Sequence, residues 1–311
     1  MIRSISIVIP LYNEENNLAP LCEQLSCVMN QLKLESEVIF VDDGSIDASF
    51  ACLDNIINGD NRFKALRFGR NFGQTAAMAA GIVESSGDVI ILMDADLQND
   101  PLDIPLLLNK INEGYDVVSG WRYYRKDSFA KKMSSMLANK LISKVTGVVL
   151  HDYGCSLKAY RSEILKNIRL YGEMHRFIPA LASITGAKIC EIQVNHNPRI
   201  SGKSNYGMER VGKVIMDLIT VKFLLSYLTK PNYIFGKWAA YLFISAILLV
   251  SICIPLGIQR AGLMGGIMIL AGLQLISMGL LSELMVRIYY ESQNKPTYFI
   301  KERKNFKNLG K

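Results

Sequence analysis

Histidine is scarce in this chain. His151, His175 and His196 are the three in 311 residues, none forms a His-x-x-x-His pair, and no catalytic or metal role falls to them. The six cysteines, at positions 22, 27, 52, 155, 190 and 253, include no Cys-x-x-Cys pair and read as reduced thiols in a cytosolic setting. Gly202-Lys203-Ser204 lacks the earlier glycine of a Walker A loop, which excludes that phosphate cradle. There is no internal repeat and no low-complexity tract. The opening Met-Ile-Arg runs straight into a strand-like segment without a signal-peptide pattern.

Charge is missing from two stretches, Trp238 to Ile258 and Ala261 to Ser282, separated by Gln259 and Arg260. Each is long enough to cross a hydrocarbon layer of about 30 Å as a helix. Together they predict a transmembrane hairpin over 234–288. The net charge of +7 gathers beside it: Lys222, Lys230 and Lys237 before, and Arg287, Lys295, Lys301, Arg303, Lys304, Lys307 and Lys311 after. The positive-inside rule then places both ends, and residues 1–206 with them, in the cytoplasm, on a multi-pass protein of the inner membrane. Basic flanks of this kind suit anionic headgroups better than nucleic acid, which is not an expected partner. Residues 207–233 read as amphipathic juxtamembrane helices and 289–311 as a basic cytoplasmic tail. Gly262, Gly265, Gly266 and Gly272 would allow close helix contact in a homo-oligomer.

What is present in the first half is an alternation of short apolar runs and helical periodicity. Ile5 to Ile9, Val38 to Val41, Phe63 to Phe68 and Val89 to Met93 read as strands, with a late strand expected within 186–196. Leu18, Leu21, Leu25, Val28 and Leu32 mark a helix from about 16 to 34; others are expected over 47–58 and from Gln74. Strands apolar on both faces predict an α/β fold whose mostly parallel sheet is covered by helices. Ligands bind such sheets at the carboxyl ends of the strands. Pro10-Leu-Tyr-Asn-Glu14, Asp42-Asp43 and Asp94-Ala95-Asp96 all stand at such ends. An Asp-x-Asp pair there is a seat for a hard divalent cation that shares its shell with substrate phosphate.

Four motifs occur in order: Val8-Ile-Pro-Leu-Tyr-Asn-Glu14, Val41-Asp-Asp-Gly-Ser-Ile-Asp47, Arg70-Asn-Phe-Gly-Gln74 and Asp94-Ala-Asp-Leu-Gln-Asn-Asp-Pro101. With Asp152-Tyr-Gly-Cys-Ser-Leu-Lys-Ala-Tyr160, Arg199-x-x-Gly202-x-Ser204-x-Tyr206 and the C-terminal hairpin, the chain resembles family 2 glycosyltransferases of the GT-A fold. Within that family it is similar to the polyprenyl-phosphate glycosyltransferases, among them bactoprenol glucosyltransferases, dolichol-phosphate mannose synthase and the undecaprenyl-phosphate formamido-arabinose transferase.

The resemblance implies that Pro10, Tyr12, Glu14, Asp42, Asp43, Asp94 and Ala95 hold the nucleotide. It implies Asp96, with Asp94 and Gln98, as ligands of Mg²⁺ or Mn²⁺. Arg122, Lys131 and Ser135 match the acceptor-phosphate loop, and Lys131 stands where some relatives carry arginine, a point charge in place of a fork. Asp152 matches a carboxylate that serves as base or orienting group, so Asp152 and Asp96 are the catalytic candidates. Arg199, Lys203 and Ser204 match a loop closing over the diphosphate. The expected reaction is inverting transfer of one sugar from a nucleotide sugar, UDP-glucose first, to undecaprenyl phosphate. UDP-linked 4-deoxy-4-formamido-arabinose and GDP-mannose are the alternative donors. A processive polysaccharide synthase is the alternative enzyme class, against which stands the lack of a Gln-x-x-Arg-Trp motif.

Overall fold

A computed structural model describes residues 2–123, 129–198, 216–222, scattered positions from 266 to 292, and 298–306; side chains are described outside 129–132 and 134. One compact unit comprises residues 1–221 with 298–311, and a second comprises 222–297.

The first unit is built on an eight-stranded sheet in the order β7-β5-β6-β4-β1-β2-β3-β8. Its strands are β1 (Ser4–Leu11), β2 (Glu35–Asp42), β3 (Phe63–Phe68), β4 (Val89–Leu92), β5 (Val117–Trp121), β6 (Lys158–Arg161), β7 (Ile189–Gln193) and β8 (Ile300–Lys304). β1 pairs in parallel with both β2 and β4, β2 with β3, and β5 with β7. β6 runs against β4 and β5, and β8 against β3. The chain winds outward from β1 in one direction and then restarts at β4 on its other side. That reversal opens a crevice at the carboxyl ends of β1 and β4.

Alternation along the strands explains why both faces read as apolar. Ile7 and Ile9 of β1 and Val38 and Phe40 of β2 point into a core with Leu18, Leu21 and Leu25 of α1 (Glu15–Leu32), α2 (Ser49–Gly59) and α4 (Ile104–Asn112). Ile39 and Val41 point the other way, into a core with Ala77 and Ala80 of α3 (Gln74–Glu84). Further helices among the described residues are α5 (Phe129–Thr146), α6 (Ser162–Leu165) and α7 (Ile178–Ala182).

The strands and helices expected before Met93 are all present, within a few residues of their expected ends. β8 is a difference. It lies in the stretch read as a basic tail, yet it pairs with β3, and Tyr298 stacks on Phe68 with ring centroids 5.2 Å apart. Lys304 meets Asp54 at 3.1 Å and Arg303 meets Glu84 at 2.8 Å. A polar, Lys-rich strand is what shields a sheet edge, and its alternation carries no apolar signal to read. Residues 216–222 are helical, inside the stretch read as juxtamembrane helices. Most of the expected hairpin lies outside the described residues; its described positions between 266 and 292 are helical. Among the described residues no helix is long and apolar enough to cross a membrane. None of the described cysteines is in a disulfide.

Candidate active site

The loops after β1 and β2 are sewn together by their own polar groups. Asn13 N donates to Ser45 Oγ at 2.9 Å, and Ile46 N donates to Asn13 Oδ1 at 3.0 Å. Ser45 N donates to Asp42 Oδ1 at 2.8 Å. Asp42 is therefore spent on the turn; it is fully buried, with Arg67 Nε 3.5 Å from its other oxygen. Its neighbour Asp43 points the other way and accepts from Phe72 N at 2.6 Å and Gly73 N at 2.9 Å. Gly44 makes this docking possible. Its φ is +74°, and a Cβ there would lie 2.5 Å from the Arg70 carbonyl carbon. Burial raises the Asp43 carboxyl above its ordinary pKa, against the two amide hydrogen bonds that lower it.

Beyond β4 the chain turns sharply, with Leu97 at φ +59°, and exposes two carboxylates to one crevice. Gln74, the first residue of α3, donates from Nε2 to Asp94 Oδ1 at 2.7 Å. Burial, and then the charge of Asp96, push Asp94 up to about 6. Gln98 N donates to Asp96 Oδ1 at 3.2 Å.

Two cavities meet at these acids. The first, about 340 Å³, is lined by Pro10, Tyr12, Glu14, Asp43, Gln74, Asp94, Ala95 and Asp96. The second, about 180 Å³, shares Gln74, Asp94 and Asp96 and adds Gln98, Arg122, Ser156, Lys158, His175 and Arg176. Three loops distant in sequence thus converge as expected at the carboxyl ends of β1, β2 and β4.

Arg122 lines the second cavity and is paired behind it with Asp152. Arg122 Nε and Nη2 lie 2.7 and 2.9 Å from Asp152 Oδ2 and Oδ1. Glu191 of β7 accepts from the Asp152 backbone N–H at 2.9 Å and fixes where it stands. Gly154 donates to Asp152 Oδ1 at 3.1 Å, and a Cβ on Gly154 would sit 3.1 Å from Arg122 Nη2. Ser135 lies on α5 and is not among the residues lining either cavity. The backbone of Lys131 is in the same helix and its side chain is outside the described set; Arg199, Lys203 and Ser204 are outside it entirely.

Sequence reading assigned no role to Gln74 or Lys158; Arg176 stands in His175-Arg176-Phe177-Ile178-Pro179, which resembles a family segment near the sugar site, with packing as the alternative. Lys158 opens β6 fully buried, donates to Tyr153 O at 3.0 Å, and is pushed down to about 8 by burial. Its signal was a lone charge inside the run Leu157-Lys158-Ala159-Tyr160. His175, which was given no catalytic or metal role, lines the second cavity, with its Nδ1 2.8 Å from Thr75 Oγ1.

Comparison with known proteins bears on the family and the fold. Residues 6–169 match the family model described as glycosyl transferase family 2. Dodecaprenyl-phosphate galacturonate synthase of Rhizobium johnstonii is 39% identical over 311 residues, covering 96% of this chain and 92% of that protein. Undecaprenyl-phosphate 4-deoxy-4-formamido-L-arabinose transferase of Edwardsiella ictaluri is 38% identical over 306 residues, covering 96% and 94%. Glucosyl-3-phosphoglycerate synthase from Mycobacterium tuberculosis, in complex with Mn²⁺, UDP and glucosyl-3-phosphoglycerate, superposes with a TM-score of 0.56 at 18% identity, over 72% of this chain and 80% of that one. That likeness carries the GT-A fold. The chain belongs to glycosyl transferase family 2 and is a glycosyltransferase.

Proposed function

We propose that this chain transfers one sugar from a UDP-sugar to a polyprenyl phosphate, at the cytoplasmic face of a membrane that its C-terminal region spans. The observation that carries this reading is the pair of adjoining cavities with Asp94 and Asp96 between them. A nucleotide in the larger cavity has the Tyr12 ring to stack on and Asp43 to accept from a base N–H. Its diphosphate then reaches the acids, and the sugar attached to it extends into the second cavity. The relatives named above supply the acceptor class, since both are named for polyprenyl phosphates.

The acids fit a divalent cation, Mg²⁺ or Mn²⁺. Asp94 resists ionisation because it is buried beside Asp96, and a doubly charged ion relieves both costs. Among the described residues no group of three His, Cys, Asp or Glu could hold a metal. A hard cation that completes its shell from phosphate and water needs no such group. Asp96 is the leading ligand, with Asp94 and Gln98 beside it. When bound, the ion neutralises charge that grows on the departing diphosphate.

The remaining chemistry belongs to the chain. A lipid monophosphate has a second pKa of about 6 and is mostly dianionic at neutral pH, so its oxygen attacks the anomeric carbon in line without a base. Asp152, held on both oxygens by Arg122, is then a positioning residue that orients the guanidinium toward the acceptor. Lys158 and Arg176 add positive charge where two anionic substrates must meet. Arg199, Lys203 and Ser204 are assigned to a loop over the diphosphate on family resemblance.

UDP-glucose is the first donor of this proposal. UDP-linked 4-deoxy-4-formamido-arabinose is the second, favoured by the 38% identical relative named for that sugar. The test is a panel of radiolabelled nucleotide sugars, including UDP-galacturonate and GDP-mannose, incubated with undecaprenyl phosphate and Mn²⁺. One lipid-linked monosaccharide is expected. No labelled lipid from any UDP-sugar defeats the reading, and a ladder of longer glycans points to a processive synthase.

A further inference from the structure

Two neighbouring residues at the end of β5 meet two neighbouring residues of the turn before β6. The Trp121 ring stacks on His151 with centroids 4.2 Å apart and planes at 16°, and beside it Arg122 forks onto Asp152. Behind both contacts stands one carboxylate, Glu191 of β7. Its Oε1 accepts from Asp152 N at 2.9 Å; its Oε2 accepts from His151 N at 2.9 Å and lies 2.8 Å from His151 Nδ1. β7 pairs with β5 in parallel and sets Glu191 opposite Ser119, two residues before Trp121 and hence on the same face of the sheet. The Glu191 side chain is 9% exposed, and both its oxygens are engaged by the turn. The turn is tied from two more sides. Asn139 Nδ2 donates to His151 O at 2.6 Å, and Lys158 Nζ donates to Tyr153 O at 3.0 Å.

Resting on the reading that the acceptor is a lipid phosphate, we propose that Glu191 is a positioning residue for acceptor binding. It holds His151 and Asp152 from behind and so sets the direction of the Arg122 guanidinium, which lines the second cavity. Glu191 is not among the residues lining either cavity, so it acts through Arg122 and not on substrate. The guanidinium is a rigid planar fork, and with Nε and Nη2 on Asp152 any turn of that carboxylate swings the whole group. Only a carboxylate suits the place, because it accepts on both oxygens, whereas a glutamine sets an NH₂ against one of the backbone N–H groups. Without Glu191 the Asp152 N–H, in a buried residue, loses this acceptor.

The test uses the full chain in nanodiscs of phosphatidylethanolamine and phosphatidylglycerol, with undecaprenyl phosphate and the UDP-sugar that labels lipid in the panel above. Glu191→Gln should raise KM for undecaprenyl phosphate about tenfold, the scale of one lost hydrogen bond to a charged group. UDP affinity with Mn²⁺, read by calorimetry, should match that of the parent, which also shows the variant folded. Glu191→Asp keeps the carboxylate on a shorter stem and should give an intermediate KM; it carries the test if the glutamine variant misfolds. Arg122→Lys should raise the same KM, and adding Glu191→Gln to it should raise it no further, because two residues acting through one contact are not additive. Trp121, one of two tryptophans in the chain, gives a readout independent of turnover. In a Trp238→Phe background the emission of Glu191→Gln should move to that of His151→Ala as the stack opens. Unmoved emission overturns the hold on the turn. A parent-like KM for undecaprenyl phosphate, or full additivity with Arg122→Lys, overturns the role of Glu191 and leaves the function standing. Moved emission in a chain whose parent makes no glycolipid upholds the hold on Arg122 and overturns the acceptor assignment.

Discussion

The Arg122 guanidinium grips both oxygens of Asp152, with the two side chains only 14% and 3% exposed. Such a pair is costly to break from one side, because the survivor is left charged and poorly solvated. Asp152→Asn should therefore lower stability by about 3 kcal/mol in urea unfolding. It should also raise acceptor KM more than donor KM. The acid limb of the pH–rate profile should persist, since the acceptor phosphate sets it; loss of that limb would make Asp152 the base instead.

Asp96→Ala should leave the fold intact, since the carboxylate faces a cavity. Turnover should fall by at least about 10²–10³, the scale seen when charge stabilisation of a leaving group is removed. Calorimetry should show UDP binding that no longer responds to Mn²⁺. Activity near that of the parent would remove Asp96 from the mechanism.

The Asp94 carboxyl, raised to about 6, has a defined linkage sign. Between its ordinary value of 3.8 and about 6 the folded, cation-free chain binds more protons than the unfolded chain. Stability without cation should thus fall as pH rises through that window. Mn²⁺ should offset this loss, so the thermal shift it produces should grow from pH 5 to pH 7. A shift independent of pH over that range would detach Asp94 from the ion.

Gly44→Ala places a methyl group against the Arg70 backbone at φ +74°. Strain of about 1–3 kcal/mol is expected in chemical denaturation. Part of it should be relieved by parting Asp43 from the Phe72 and Gly73 amides, and UDP affinity should fall with stability. A variant that loses stability but binds UDP as tightly as the parent would separate Asp43 from the base.

Much of the site could be read before any coordinates. Apolar runs ending in Pro10, Asp42 and Asp94 mark parallel strands, and strand ends are where such sheets bind ligands. Position alone thus put Tyr12, Asp43 and Asp96 at strand ends, and the family resemblance gave them roles. Asp42 and Asp43 could not be told apart in the same way. Adjacent carboxylates look alike until the backbone turns one inward to Ser45 and the other outward to Phe72.

The periodicity of the chain determined its sheet, its helices and the three loops that meet at the acids, because burial imposes a period of two on strands and 3.6 on helices. Contacts between residues far apart in sequence decided the rest. The Arg122–Asp152 fork, the reach of Gln74 to Asp94 and the burial of Lys158 follow from which strands lie side by side. β8 became an edge strand because β3 offered an unpaired ladder. Composition is blind to such choices, since they depend on what each side chain meets.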